Sequence, residues 1–103
     1  MSHFFRLVGH YVVACDDVQT WAKWYEQADR QVAFDVCGEG RVSTVFLGID
    51  HRFVGQGPPV LYETLVFGGP LNGEQSRSAT WPDAERDHAS MVARVLAAER
   101  PPL

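Results

Sequence analysis

Residues 42–68, VSTVFLGIDHRFVGQGPPVLYETLVFG, carry the strongest indication of the fold. Both ends of this stretch, 42–49 and 60–67, are rich in β-branched and aromatic residues, which predicts a pair of neighbouring strands. The ten residues between them, 50–59, include an acid, a histidine, two large apolar residues and a Gly-Gln-Gly-Pro-Pro run. A connection of this length between paired strands is longer than most, which makes it a place to look for function.

Two further strands are predicted on the N-terminal side of this pair. Residues 4–14 alternate well enough for one strand, and 30–37 for a second with Val32, Phe34 and Val36 facing the core. A Gly-Glu-Gly turn at 38–40 predicts that this second strand pairs antiparallel with the next one. Residues 68–74, GGPLNGE, have the composition of a loop.

Two helices complete the prediction. Asp16 is a candidate cap for a helix that runs to about Ala28. Thr80 is expected to cap the last helix, with Pro82 in its first turn. The predicted order is β-α-β-β-β-α, an α+β fold with a four-stranded antiparallel sheet and both helices packed on one face.

Length and charge restrict the class of protein. The 103 residues, 46% of them apolar, predict a single domain over 1–103, with a disordered tail at 100–103. Nine basic residues against thirteen acidic ones give a net charge of −4, and Lys23 is the only lysine. A nucleic-acid binder needs basic residues along the phosphate backbone, so nucleic acid is an improbable partner.

The cysteines and the N-terminus indicate the compartment. Cys15 and Cys37 allow one disulfide by count, but no N-terminal apolar run resembles a signal peptide. We therefore expect a cytoplasmic protein with two free, partly buried thiols. No stretch approaches the roughly 20 apolar residues that a membrane helix needs, so no membrane contact is predicted.

Four side chains are candidates for acid–base chemistry or metal binding: Asp50, His51, Glu63 and His88. If Leu65 faces the core, Glu63 is a buried carboxylate with a raised pKa; if Tyr62 faces the core, Glu63 points to solvent. Both faces of this strand are apolar, so periodicity leaves both alternatives open. The four histidines fit no ligand spacing, and no nucleophile elbow or phosphate-binding loop is present. No catalytic residue, metal ligand or cofactor is therefore assigned.

A second constellation consists of large apolar residues and an arginine, the residue types that dominate protein interfaces. In one interpretation they form a binding surface; in the other, Phe53 folds back and plugs the open end of the sheet. The candidate interface residues are Trp24, Phe46, Arg52, Phe53 and Val54.

Three segments of the chain together resemble a family of small uncharacterised proteins that tailed phages and prophages encode. The resemblance covers roughly residues 42–95. It implies an accessory gene product in the cytoplasm of a bacterial host, and it brings no established activity. The segments are VSTVFLGIDHRF from 42, PPVLYETLVFGG from 58, and Thr80-Trp81 with Ala84 and the HASMV that begins at His88.

Two functions follow as hypotheses. The first is a non-enzymatic module that binds a host or phage protein, of the host-takeover or anti-defence inhibitor type. The alternative is a small metal-binding protein or enzyme that uses Asp50, His51, Glu63 and His88. A homodimer through one face of the sheet is a further expectation, because both faces of the strand pair are apolar.

Overall fold

The computed structural model describes residues 3–52 and 57–99. Four strands in this part of the chain form an antiparallel sheet of order β3-β4-β5-β6, and two more form a separate hairpin. The predicted α+β class with a four-stranded antiparallel sheet is confirmed. In chain order the elements are β1 Phe4–Val8, β2 Tyr11–Cys15, α1 Val18–Gln27, β3 Gln31–Cys37, β4 Gly40–Phe46, β5 Tyr62–Phe67, β6 Gln75–Ser78 and α2 Trp81–Ala98.

Two differences change the predicted element order to β-β-α-β-β-β-β-α. Residues 4–14 form a hairpin instead of one strand, because the chain reverses at Gly9, whose φ of 61° suits glycine. Apolar and polar residues continue to alternate through this turn, so the sequence pattern does not indicate it. The second difference is β6, whose sequence QSRS lacks the apolar residues that predict strands.

The strand pair predicted from residues 42–68 forms the centre of the sheet. β4 and β5 pair antiparallel, with Val42 opposite Val66, Thr44 opposite Thr64 and Phe46 opposite Tyr62. All six side chains are buried on one face. Next to the long connection both strands are shorter than predicted, because β4 ends at Phe46 and β5 begins at Tyr62. Beyond these ends, Leu47 still donates its amide to the Leu61 carbonyl at 2.6 Å.

Helix α2 covers the face of the sheet that carries these buried residues. Thr80 caps the helix as predicted, since its Oγ1 accepts a hydrogen bond from the Asp83 amide at 3.2 Å. The helix buries a stripe at spacings of three and four against the sheet, as an amphipathic helix does. The stripe consists of Ala84, His88, Met91 and Val95.

Helix α1 rests on the hairpin and reaches the same face of the sheet at one end. Its cap is Asp17, one residue after the predicted Asp16, and Asp17 accepts from the Gln19 amide at 3.0 Å. Trp21 donates its indole N–H to the Phe5 carbonyl at 2.8 Å. The Trp24 ring lies edge-on to Phe46, with 5.9 Å between centroids. Both helices thus contribute to one core.

Both cysteines are buried, and no disulfide joins Cys15 to Cys37. Cys37 belongs to the core cluster that Val42 and Val95 form with their neighbours. Burial, with smaller contributions from the Asp35 and Glu99 charges, raises the pKa of the Cys37 thiol. Its reactive thiolate form is therefore disfavoured at neutral pH.

The tyrosine at the centre of the core has an unusual hydroxyl group. Tyr62 is fully buried between the Phe46 and Trp81 rings, both edge-on, at centroid distances of 5.2 and 6.3 Å. Among the described residues its hydroxyl has no hydrogen-bond partner. Burial raises the pKa of Tyr62 from 10.0 to about 12.

We expect Tyr62→Phe to leave the free energy of unfolding at pH 7 unchanged or slightly higher, because an unpaired buried hydroxyl contributes nothing. The wild type should lose stability between pH 10 and 12, by up to about 1.4 kcal/mol per pH unit, because only its unfolded state releases the tyrosine proton there. The variant should lack this component. Urea unfolding of the wild type and of Tyr62→Phe across this pH range measures both effects. If the variant's free energy of unfolding at pH 7 is lower than that of the wild type by more than about 2 kcal/mol, the hydroxyl is hydrogen-bonded.

A pair of glycines offers a test of the turn after β5. Gly68 has a φ of 81°, and a Cβ there would lie 2.7 Å from the Glu39 carbonyl oxygen. Gly73 has a similar φ of 90°, but a Cβ there would have no neighbour within 4 Å. Gly73→Ala should cost about 1–3 kcal/mol from backbone strain alone. Gly68→Ala should cost about 1–3 kcal/mol more, from overpacking against backbone, in urea unfolding. Equal losses would contradict the close approach.

Candidate functional site

Asp50 ties together the two ends of the long connection between β4 and β5. Its Oδ1 accepts hydrogen bonds from the amides of Arg52 and Val60, both at 2.9 Å, and its Oδ2 lies 3.0 Å from Arg52 Nη2. Desolvation alone would raise the pKa of Asp50, but these amides and the guanidinium together outweigh it and lower the pKa. Asp50 is therefore an ionised structural acceptor.

The other described residues of this connection also bond within it. His51 Nδ1 lies 2.7 Å from the Ile49 carbonyl oxygen, so this nitrogen carries the proton and donates it. Arg52 donates a second hydrogen bond, to the Gly57 carbonyl. Phe53 and Val54, two of the predicted interface residues, lie outside the described residues.

Glu63 lies on the outer face of the sheet, which decides between the two alternatives for this residue. Its neighbours Tyr62 and Thr64 are buried on the α2 side. Glu63 Oε2 accepts a hydrogen bond from Arg77 Nε on the adjacent strand at 3.1 Å. The carboxylate is paired and partly solvated, so it lacks the apolar environment of a catalytic acid.

His88 forms a polar network with residues of three strands, in which His88, Thr44 and Thr64 are buried and Asp35 is 57% exposed. Its Nε2 lies 2.7 Å from Asp35 Oδ2, and its Nδ1 lies 2.8 Å from Thr44 Oγ1. Thr44 Oγ1 in turn lies 2.7 Å from Thr64 Oγ1. With Nε2–H donating to the carboxylate, Nδ1 accepts from Thr44 and Thr44 accepts from Thr64, so each polar atom named has a partner.

The order carboxylate, imidazole and hydroxyl resembles the arrangement that activates nucleophiles in hydrolases. Here the hydroxyl group belongs to Thr44, which is completely buried between the sheet and α2. No substrate reaches a hydroxyl in that position. The network instead attaches α2 to the middle of the sheet.

The side chains of the four predicted acid–base or metal residues therefore form hydrogen bonds with different partners. None of the described contacts joins two of them, and the described residues contain no group of three or more His, Cys, Asp or Glu that could hold a metal ion. Sequence reasoning placed His88 on the inner stripe of α2 but missed its partners. Those partners are Asp35, Thr44 and Thr64.

The predicted interface residues differ in burial. Phe46 is fully buried because it faces inward opposite Tyr62, so it offers no surface to a partner. Trp24 packs edge-on against Phe46 at the end of the core and is partly buried. Arg52 pairs with Asp50.

Three of the exposed large apolar residues, Phe34, Val36 and Phe67, lie on the face of the sheet opposite α2, which we call the outer face. In β3 the predicted inward orientation is confirmed for Val32, which packs against the core, and is wrong for Phe34 and Val36, because a register shift between Gln31 and Ala33 separates them from Val32. Phe34 and Val36 point outward with 51% and 69% of their surfaces exposed. Cys37 is buried in the core, and Asp35 lies on the α2 side with 57% of its side chain exposed. Val36 of β3 lies opposite Arg41 of β4, which in turn lies opposite Phe67 of β5. Phe67 is 44% exposed. We define the outer face by five residues: Phe34, Val36, Arg41, Leu65 and Phe67.

The buried network can be tested with a double-mutant cycle. Thr44→Val should lower the free energy of unfolding by about 1–3 kcal/mol, because it leaves His88 Nδ1 and Thr64 without their partner. Thr64→Val should cost less in the Thr44→Val background than in the wild type, with a coupling of about 0.5–3 kcal/mol. Urea unfolding measures all four proteins. Additive effects would show that the hydroxyl groups act independently.

Comparisons with protein-family models, with curated proteins and with solved structures find no match to this chain. None of the described helices is long and apolar enough to cross a membrane.

Proposed function

We propose that this chain is a non-enzymatic interaction module that binds another protein through the outer face of its sheet. The orientation of β3 carries the proposal. This strand places Asp35 on the α2 side of the sheet, where it bonds to His88 with 57% of its side chain exposed, and it offers the apolar Phe34 and Val36 to solvent. Exposing the apolar side of an alternating strand has an energetic cost in water, which binding of a partner would remove.

The chemistry of the outer face supports a protein partner. The exposed Arg41 lies between Val36 and Phe67 across the sheet, and Phe34 lies on the same face opposite Ser43. Aromatic and arginine residues are frequent among those that dominate binding energy. The Glu63–Arg77 ion pair lies beside them and gives the patch a polar rim. Within the described residues, α2 packs against the opposite face and no helix or strand covers this one.

The resemblance to phage and prophage proteins supports a host or phage protein as the partner, in the manner of a host-takeover or anti-defence inhibitor in the bacterial cytoplasm. The net charge of −4 favours a partner with a basic surface. The alternative of an enzyme or metal protein receives no support from the contacts of Asp50, His51, Glu63 and His88, because the side chain of each bonds to a different partner.

The test begins with capture of partners from bacterial cells by the tagged chain, followed by titration of the purified partner. Phe34→Ala and Phe67→Ala should each weaken the dissociation constant at least about tenfold, because buried aromatic anchors contribute about 2 kcal/mol or more. Leu96→Ala is the matched control, since Leu96 on α2 is 49% exposed and lies off the outer face. Urea unfolding confirms that all three variants fold.

Unchanged affinity in Phe34→Ala and Phe67→Ala, or an equal loss in Leu96→Ala, would exclude the outer face as the binding surface. Failure of any protein to co-purify specifically from host cells would contradict the proposed function itself.

A further inference from the structure

We infer that β3 can pair with β4 in two registers that differ by one residue, and that the change between them presents or withdraws the outer face. In the observed register, Phe34 and Val36 face solvent. In the second register, both side chains turn toward α2. The existence of two registers does not depend on the proposed function, whereas their use in regulating the binding surface rests on it.

A β-bulge near the start of β3 separates two pairings within this one strand. Before the bulge, Gln31 lies opposite Val45; after it, Ala33 lies opposite Thr44, which is one residue out of step. Val32 is the additional residue and packs against the core. A shift of one residue moves every later side chain of a strand to the other face, so the bulge decides which residues of β3 face outward.

The second register continues the pairing that precedes the bulge. Phe34 then lies opposite the buried Val42 and turns toward α2, together with Val36. Asp35 then lies opposite the exposed Arg41 on the outer face. This arrangement agrees with the alternation of apolar residues along β3. It lengthens the turn between β3 and β4 from two residues to three, and both lengths are common in hairpins.

Two interactions favour the second register. Phe34 and Val36 are exposed in the observed register, and their burial against α2 is favourable. Arg41 forms no ion pair with the described residues in the observed register, whereas in the second it lies opposite the charge of Asp35. The Asp35 side chain is more than half exposed, so α2 leaves this position partly open and can accommodate a larger residue.

The side chain of Gln31 holds the observed register. Its Nε2 donates to the Ala33 carbonyl at 2.7 Å and to the Thr44 carbonyl at 2.9 Å. Ser43 Oγ lies 3.1 Å from the same nitrogen. Ala33 and Thr44 lie opposite each other only in the observed register, so these hydrogen bonds are specific to it.

Two contacts of α2 and its C-terminal cap support the same register. His88 Nε2 lies 2.7 Å from Asp35 Oδ2. The Glu99 carboxylate accepts a hydrogen bond at 3.0 Å from the amide of Glu39, which lies in the two-residue turn. The second register separates both pairs. The two registers therefore exchange apolar burial for polar contacts of comparable free energy, as in elements that switch between two packings.

Alkylation of Cys37 reports the register, because this thiol is buried in the observed register and lies in the lengthened turn in the second. Gln31→Ala removes the hydrogen bonds at the bulge, so iodoacetamide should modify Cys37 at least about tenfold faster than in the wild type. Cys15 takes no part in the register change and measures general unfolding. Cys37 should therefore react faster than Cys15 in both proteins, as mass spectrometry of the digested protein can show.

Gln75→Ala is the matched control for this experiment. Gln75 is an exposed glutamine on the edge strand β6, and its side chain forms no hydrogen bond with the described residues. This variant should leave the Cys37 rate unchanged. Equal rates at Cys15 and Cys37, or no acceleration in Gln31→Ala, would overturn the inference.

Nuclear Overhauser effects distinguish a change of register from fraying of the turn. Phe34 and Val42 lie on opposite faces in the observed register, so their side chains are in contact only in the second. The Gln31→Ala/Glu99→Ala double variant lacks two of the three polar contacts, and it should show these effects between the Phe34 ring and the Val42 methyl groups. Their absence from the folded double variant would overturn the inference.

A charge reversal tests the pairing of Asp35 with Arg41. In the double variant, Arg41→Glu should reduce the population of the second register at least about threefold, because it places two acidic residues opposite each other. Lys23→Glu reverses the charge of another exposed cation, on α1, and should have no effect. Equal effects of the two reversals would contradict the second register.

The regulatory role is tested with the purified partner. A partner that binds Phe34 selects the observed register, so a saturating concentration should slow alkylation of Cys37 in Gln31→Ala at least about tenfold. An unchanged Cys37 rate with a partner that requires Phe34 would overturn this role and leave the proposed function intact. If no partner is captured, the proposed function fails, and alkylation and NMR still decide between one register and two.

Discussion

The hydrogen bonds of His88, extended by the Thr44–Thr64 bond, attach α2 to the inward-facing sides of β3, β4 and β5. Because Thr44 bonds to His88, its neighbours at period two in β4, Val42 and Phe46, also face α2. The β4–β5 register then places Thr64 inward, with Tyr62 and Val66 on either side of it. In β3 the same histidine binds Asp35 on the α2 side, and the β3–β4 register places Phe34 and Val36 on the opposite side, toward solvent. The apolar outer face thus lies behind the face that carries the polar contacts of His88.

The sequence predicts those parts of the fold in which local preference and burial agree. The strands within 42–68 are dense in β-branched and aromatic residues, and Thr80 with Pro82 has the composition of a helix start, so both predictions are confirmed. Two elements lack such signals. Side chains alternate through the turn at Gly9, and β6 is polar because its pairing with β5 requires only backbone groups.

The site was less predictable, because its contacts join residues far apart in the chain. The alternation in β3 predicted that Phe34 faces the core, because apolar residues are usually buried. The contact that accompanies the opposite orientation joins Asp35 to His88, 53 residues later in the chain, and the local sequence does not indicate it. Glu63 could not be oriented because both sides of β5 are apolar. Phe46 looked like a surface aromatic only while its partner Tyr62 was unknown.

The carboxylate of Asp50 has a consequence for how this protein can vary. It holds the Val60 amide and Arg52, and the His51 amide donates to the Val60 carbonyl at 2.9 Å, so the connection between β4 and β5 is closed at its base. Lengthening a closed loop costs only about 0.6 kcal/mol for each doubling. The distal residues can therefore diversify, or accept a grafted peptide, while the β-sheet that carries them stays the same.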